Sequence, residues 1–177
     1  MTDDSPAPAS QIVVRRADRL PPDVVDTLAG ILTACVAEGA SLGFLAPLAP
    51  DAARHWWAAF PRDGAMLLVA EVDGRFVGTV QLHDAESENG AHRGEVAKLL
   101  VHPAWRRRGI ARALMTRLEA EARAAGKCLL VLDTREGDPS NDLYRALGYR
   151  EAGRIPGWAR NAAGTFSATV FWYKPLA

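Results

Sequence analysis

The chain has 177 residues, enough for one domain with a sizeable core. Its 21 Lys+Arg balance 21 Asp+Glu at zero formal net charge, which argues against an extended nucleic-acid or polyanion surface. No apolar run is long enough to span a bilayer, so no membrane partner is expected. The two cysteines, Cys35 and Cys128, lie in apolar stretches that need no oxidising compartment, so a cytoplasmic location is the simplest expectation.

Residues 1–10, MTDDSPAPAS, lack the basic and apolar regions of a signal peptide and read as a flexible tail before a single domain over 11–177. Ile12 to Arg16 predicts a first strand. After Pro21-Pro22, the stripe Val24, Val25, Leu28, Ile31, Leu32 and Cys35 predicts a helix ending near Gly39. GASLGFLAPLAP is a loop with apolar tips. Asp51 is placed to cap a second helix through His55, Trp56, Trp57 and Phe60, stopped by Pro61. Met66 to Val72 and Arg75 to His83 flank Asp73-Gly74, the signature of a hairpin. Asp84 to Arg93 is polar and loop-like.

The next stretch organises the chain. Glu95 to Val101 predicts a buried strand, followed by a basic turn and an amphipathic helix from Ile110 that carries Ala113, Leu114 and Leu118 on one face. Cys128 to Asp133 predicts a buried strand, and Pro139 to Leu147 a short helix that stops at Gly148. Tyr149 to Arg154 and Thr165 to Tyr173 are late strands joined by a loop around Trp158. This order gives an α/β (α+β) mixed sheet with helices on both faces. The crossover from Glu95 to Asp133 makes the two central strands parallel, with the basic loop at their carboxyl ends.

In that loop, Arg106, Arg107, Arg108, Gly109, Ile110, Ala111 and Arg112 stand at a helix start, where several N–H groups lack an intrahelical acceptor. Free donors, the positive dipole end and the arginines suit a phosphate-bearing ligand, and Gly109 allows close backbone approach. No GK[ST] follows the glycine, which excludes a nucleoside-triphosphate loop. Four histidines and two cysteines show no metal-ligand spacing, so no metal is expected.

RRRGIA resembles the pyrophosphate-binding pattern of the GNAT superfamily of acyl-CoA-dependent N-acyltransferases: Arg or Gln, two residues, Gly, one residue, Gly or Ala. Its position just beyond Leu99-Leu100-Val101, with LDT (Leu132 to Thr134) and DLYRALGYREAG (Asp142 to Gly153) downstream, strengthens the likeness. The chain looks most similar to the tabtoxin-resistance type of antibiotic acetyltransferase through GASLGF, GEVAKLLV, LLVLDTREG and RIPGWARNAAGTFSATVFWYK.

The resemblance implies a GNAT-type, mostly antiparallel sheet whose central parallel pair splays apart to admit the pantetheine of acetyl-CoA, the cosubstrate. A bulge in the Glu95–Val101 strand would help the separation. By resemblance, Leu99, Leu100 and Val101 run along the pantetheine, and the Val101 N–H polarises the thioester carbonyl. Tyr144 matches a tyrosine near the CoA sulfur, suited to protonating the departing thiolate; the alternative is a tyrosine that only packs on the sheet. The asparagine often found seven residues before that tyrosine is Gly137 here; Asn141 and Asp142 lie nearby but out of that register, and Asn141 is the side-chain candidate for the cofactor. Glu95 and Asp133 stand as carboxylates in apolar strands, where charge is costly unless partnered or used. They match a proposed general-base pair, the alternative for Glu95 being neutralisation by Lys98 or a loop arginine. Phe44, Trp57 and Trp158 are candidate walls for the acceptor within Ser41 to Phe44, Trp56-Trp57 and Ile155 to Arg160. His83 and His102 read as surface residues, the alternative being contact with the substrate, and Cys128 reads as an inert buried thiol.

The implied function is transfer of acetyl to a primary amine of a small, amino-acid-like antibiotic or toxin in a ternary complex. The alternatives are acetylation of a protein or peptide amine, and a non-catalytic acyl-CoA sensor. Dimerisation is common in the superfamily, so a homodimer is a further expectation.

Overall fold

The structure, a computed structural model, describes residues 11–176; the expected tail over residues 1–10 lies outside them. Among the described residues there are seven strands and four α-helices. The strands are β1 (Ile12–Arg16), β2 (Ala65–Val72), β3 (Arg75–Asp84), β4 (Arg93–Val101), β5 (Leu129–Arg135), β6 (Arg150–Arg160) and β7 (Phe166–Pro175). The helices are α1 (Pro22–Ala37), α2 (Pro50–Ala58), α3 (Ile110–Ala124) and α4 (Ser140–Ala146). They form one sheet in the order β1-β2-β3-β4-β5-β7-β6, antiparallel throughout except for the parallel pair β4–β5. The predicted fold class and element order are therefore observed. No described helix is long and apolar enough to cross a membrane.

Alternation along the strands builds two apolar layers. Leu82, Val96, Leu130, Leu132 and Trp172 face α3 and α4, where they meet Leu114, Leu118 and Tyr144. Leu67, Val69 and Leu100 face the other way, onto Leu28, Leu32 and Trp57 of α1 and α2. On that second face the helices cover β2, β3 and the carboxyl-terminal end of β4 around Leu100, leaving Glu95 near its start exposed. Over β5 and β7 the same face carries half-buried Val131, Phe171 and Tyr173 and exposed Asp133. This uncovered floor becomes the site.

Three local expectations change. Asp51 is not the cap of α2: Ala49 holds that position, Pro50 occupies the first turn, and the Asp51 carboxylate accepts from Arg54. The predicted loop around Trp158 is instead the far end of β6, which continues to Arg160 past a bulge between Ile155 and Ala159. Cys128 precedes β5 and is exposed, whereas Cys35 is buried in α1.

Candidate functional site: a split in the sheet

The parallel strands β4 and β5 pair only through Arg93↔Leu129, Gly94↔Leu130 and Glu95↔Val131. Beyond Glu95 they part, while β5 stays paired with β7 to Arg135↔Thr169. The cause lies in β4. Thr79 pairs with Leu100 and Gln81 with Ala97, so two residues of β3 span three of β4, leaving Lys98 and Leu99 without ladder partners. Lys98 is left-handed at φ 51°, a conformation a non-glycine residue adopts at a cost. The buried Thr79 hydroxyl donates to its carbonyl at 3.1 Å and holds the kink. Gly78 lets β3 close against β4 here, since a Cβ would stand 2.6 Å from the Leu100 carbonyl oxygen. The bulge also resets the alternation, so Leu99 and Val101 pack toward α3 while Leu100 is buried under α1.

At the carboxyl end of β4, Gly109 is the N-cap of α3 at φ 82° with open space above it, and Arg107 is left-handed at φ 64°. Among the described residues the N–H groups of Arg107 through Arg112 find no acceptor. Consecutive free donors at the positive end of a helix dipole form a nest for a phosphate. Around it, Arg107 and Arg112 are exposed, and Arg108 stacks over the Trp105 ring at 4.7 Å. Ile110 supplies only its backbone, because its side chain is in the core; half-buried Ala111 adds a small side chain. Arg106 departs from expectation. Its guanidinium bonds Glu38 at 2.6 Å and the Val101 carbonyl at 3.2 Å, so it ties α1 to the end of β4 rather than facing a phosphate.

Glu95 and Asp133 share one face of the sheet, and both are exposed on the uncovered floor, not buried as their apolar strands suggested. Asp133 accepts from the Thr169 hydroxyl at 2.8 Å. Among the described residues Glu95 has no ion pair, so neither Lys98 nor a loop arginine neutralises it. The Lys98 ammonium instead donates to the Leu42 carbonyl at 2.8 Å and sits 5.9 Å and 5.6 Å from the Phe44 and Trp56 ring centroids. Burial, and then the nearby Arg62 charge, push the Lys98 pKa down, while Asp133 and Glu95 pull it back up. His83, opposite Glu95, bonds Gln81 at 2.8 Å, and burial lowers its pKa. His102 accepts the Ala104 N–H and so serves the turn.

Tyr144 lies under the opposite face, beside Tyr149 and Trp172. Burial, with Asp138 and Asp133 adding to it, raises its pKa well above the ordinary phenol range, so its proton is held at neutral pH. Among the described residues its hydroxyl has no hydrogen-bond partner. Asn141 is unavailable to a cofactor: its amide donates to the Arg135 and Asp138 carbonyls and its oxygen accepts from Trp172, which locks α4 to β5 and β7.

The acceptor walls are also redistributed. Trp57 is fully buried in the α1–α2 layer and cannot line a cleft. Its neighbour Trp56 does, half-buried and edge-on to Phe44 at 5.8 Å. Helical phase carried that signal: Ala53 and Trp57, four residues apart, share the buried stripe and Trp56 lies off it. Trp158 is 53% exposed and packs edge-on against Phe171, the residue paired with Asp133. Among the described residues no three His, Cys, Asp or Glu side chains gather as a metal would require.

Comparison with known proteins agrees with this geometry. Residues 36–149 match the Acetyltransferase (GNAT) family. The chain is similar to the ribosomal-protein-alanine N-acetyltransferase of Brucella melitensis at 25% identity and a TM-score of 0.79, covering 93% of this chain and 99% of that one. In fold it is similar to an N-acetyltransferase of Staphylococcus aureus Mu50 (19% identity, TM-score 0.81, covering 95% and 100%). It is likewise similar to yncA of Salmonella typhimurium, solved with its cofactor acetyl-CoA (24% identity, TM-score 0.78, covering 95% of each chain). With a family match across most of its length, centred on the split strand pair and the phosphate nest, the chain belongs to the GNAT family and is an acetyltransferase.

Proposed function

We propose that this acetyltransferase moves the acetyl group of acetyl-CoA directly to a primary amine of a small, amino-acid-like molecule, as the tabtoxin-resistance type does. One observation carries the reading: the sheet splits beside two exposed carboxylates on its open face, with a protonated tyrosine beneath the other. The N–H groups from Arg107 to Arg112 hold the pyrophosphate, and the freed edge of β4 runs along the pantetheine. Asp133, with Glu95 nearby, attracts the acceptor ammonium and takes a proton from it, directly or through a water. The amine nitrogen then attacks the thioester carbonyl, whose oxygen gathers negative charge near the β4 backbone. As the carbon–sulfur bond breaks, Tyr144 gives its proton to the thiolate; the acylated nitrogen sheds its second proton to solvent, from which Tyr144 is reprotonated. Phe44, Trp56 and Trp158 favour a small acceptor over an extended protein segment. Such an enzyme works in the cytoplasm, where acetyl-CoA is available.

Acetylation of a peptide amine is the second reading, favoured by the likeness to the Brucella enzyme. Thiol release from acetyl-CoA, followed across small amines, amino-acid analogues and peptides with free N-termini or lysines, separates the two. Turnover with small amines supports the proposal. Turnover with peptides alone refutes it, and slow hydrolysis alone indicates a sensor.

A further inference from the structure

The bulge that opens the sheet also sends the Lys98 side chain into the acceptor cleft. It rises from the face that carries Glu95 and Asp133, because its ammonium meets Leu42, Phe44 and Trp56, all packed on that side. The α1–α2 loop runs directly over it: a Cβ on Gly43 would stand 3.8 Å from Nζ. The Leu42 carbonyl takes one of the three ammonium donors, which leaves two. Among the described residues no carboxylate lies within ion-pair distance of Nζ; Asp133 and Glu95 act on it from further off. Arg62, over the Trp56 ring at 4.7 Å, adds a second positive charge nearby. A half-buried cation between aromatic rings is costly unless something uses it, and the left-handed backbone of Lys98 adds to that cost.

We propose that Lys98 is the acid-recognising residue of the acceptor site, binding a carboxylate or comparable acid group of the acceptor while Asp133 draws its amine. The inference rests on acetyl transfer beside Asp133 and adds the specificity determinant. Position along the split sets the size of the acceptor. Glu95 is level with Val131; Asp133 lies two residues beyond Val131 on β5, and Lys98 three beyond Glu95 on β4. At a rise of about 3.3 Å per residue, the two stand level to within about one residue, on opposite sides of the split. The acceptor is therefore a compact zwitterion, with amine and acid close together. Charge balance agrees. A simple ammonium pairs with Asp133 and Glu95 and leaves the Lys98 charge unanswered, whereas a zwitterion answers both. A peptide N-terminus presents a neutral amide where the acid would be, and leaves Lys98 unanswered too.

The test offers α-amino acids, each beside its own carboxamide, which keeps the amine and the shape but removes the negative charge. In thiol-release kinetics Lys98→Met should lower the acid-to-carboxamide ratio of kcat/KM by about tenfold, the scale of a charge-assisted contact. Lys98→Arg, which keeps the charge, should restore part of it. Comparing ratios cancels the different basicities of the two amines. It also separates recognition from loop support, since a lost loop contact slows acids and carboxamides alike. A ratio untouched or raised by Lys98→Met overturns the proposal and leaves acetyl transfer standing. Calorimetry of the same pairs on CoA-saturated wild type needs neither chemistry nor a folded variant. Acids bound about tenfold more tightly support the proposal even where no acetyl moves. Carboxamides bound as tightly as the acids or better, or no binding by either, overturn it.

Discussion

The two carboxylates should not matter equally. Glu95 is the last paired residue of β4 before the strands part, opposite Val131, and Asp133 lies two residues further along β5. With strands about 4.8 Å apart and a rise of about 3.3 Å per residue, their Cα atoms stand about 8 Å apart. One ammonium or one water between them can touch both side chains. Glu95, however, sits at the closed root of the split, whereas Asp133 lines its open arm. Asp133→Asn should therefore lower kcat/KM by about 10²–10³-fold, or about 3–4 kcal/mol of transition-state stabilisation, the scale of a lost general base. Glu95→Gln should cost about tenfold, as expected of a residue that anchors the ammonium or relays a water. Asparagine can still accept the Thr169 hydroxyl, so Asp133→Asn should cost stability only about 1 kcal/mol, the difference between a charged and a neutral acceptor. Thiol-release kinetics on both variants, with circular dichroism melts beside them, provide the measurement. If Glu95→Gln proves the more damaging while its melt matches wild type, the acceptor amine sits at the root of the split and the ranking is wrong.

Gly109→Val should abolish acetyl-CoA binding in calorimetry while unfolding stays cooperative; the left-handed backbone alone penalises a side chain by about 1–2 kcal/mol, and near-normal affinity would move the phosphate site elsewhere. Tyr144→Phe keeps the ring against Tyr149 and Trp172, so stability and acetyl-CoA affinity should hold while kcat falls by about 10²-fold; an unchanged kcat, with chemistry rate-limiting, removes the phenol from the mechanism. Burial lowers the Lys98 pKa, so the native state releases this proton at lower pH than the unfolded chain, and between the two pKa values the unfolded state binds more protons. Wild type should therefore gain stability relative to Lys98→Met as pH rises through that alkaline window; denaturant melts showing a flat or falling difference would mean the ammonium is not held as described.

What could be read from the sequence was whatever depends on local period and turn chemistry. β1 runs over the predicted residues, Asp73-Gly74 makes the predicted hairpin, and the helix after Gly109 follows its apolar spacing from Ile110. The nest was legible for the same reason: free N–H groups at a helix start follow from the position of the start, and Gly109 marks it. What tertiary structure alone decided concerns which face a side chain meets and what else competes for it. Glu95 and Asp133 sit in apolar runs, yet are exposed because α1 and α2 cover only half of their sheet face. Trp56 and Trp57 are chemically identical neighbours that α2 turns to opposite fates. Arg106 matches the first position of the phosphate pattern, but Glu38, sixty-eight residues earlier, claims its guanidinium. The bulge at Lys98 leaves no signature in VAKLLV, because a strand buried on both faces shows continuous apolar residues whether or not its alternation is reset. Only pairing with β3, where the Thr79 hydroxyl meets the Lys98 carbonyl, sets the position of the extra residue and so where the sheet opens.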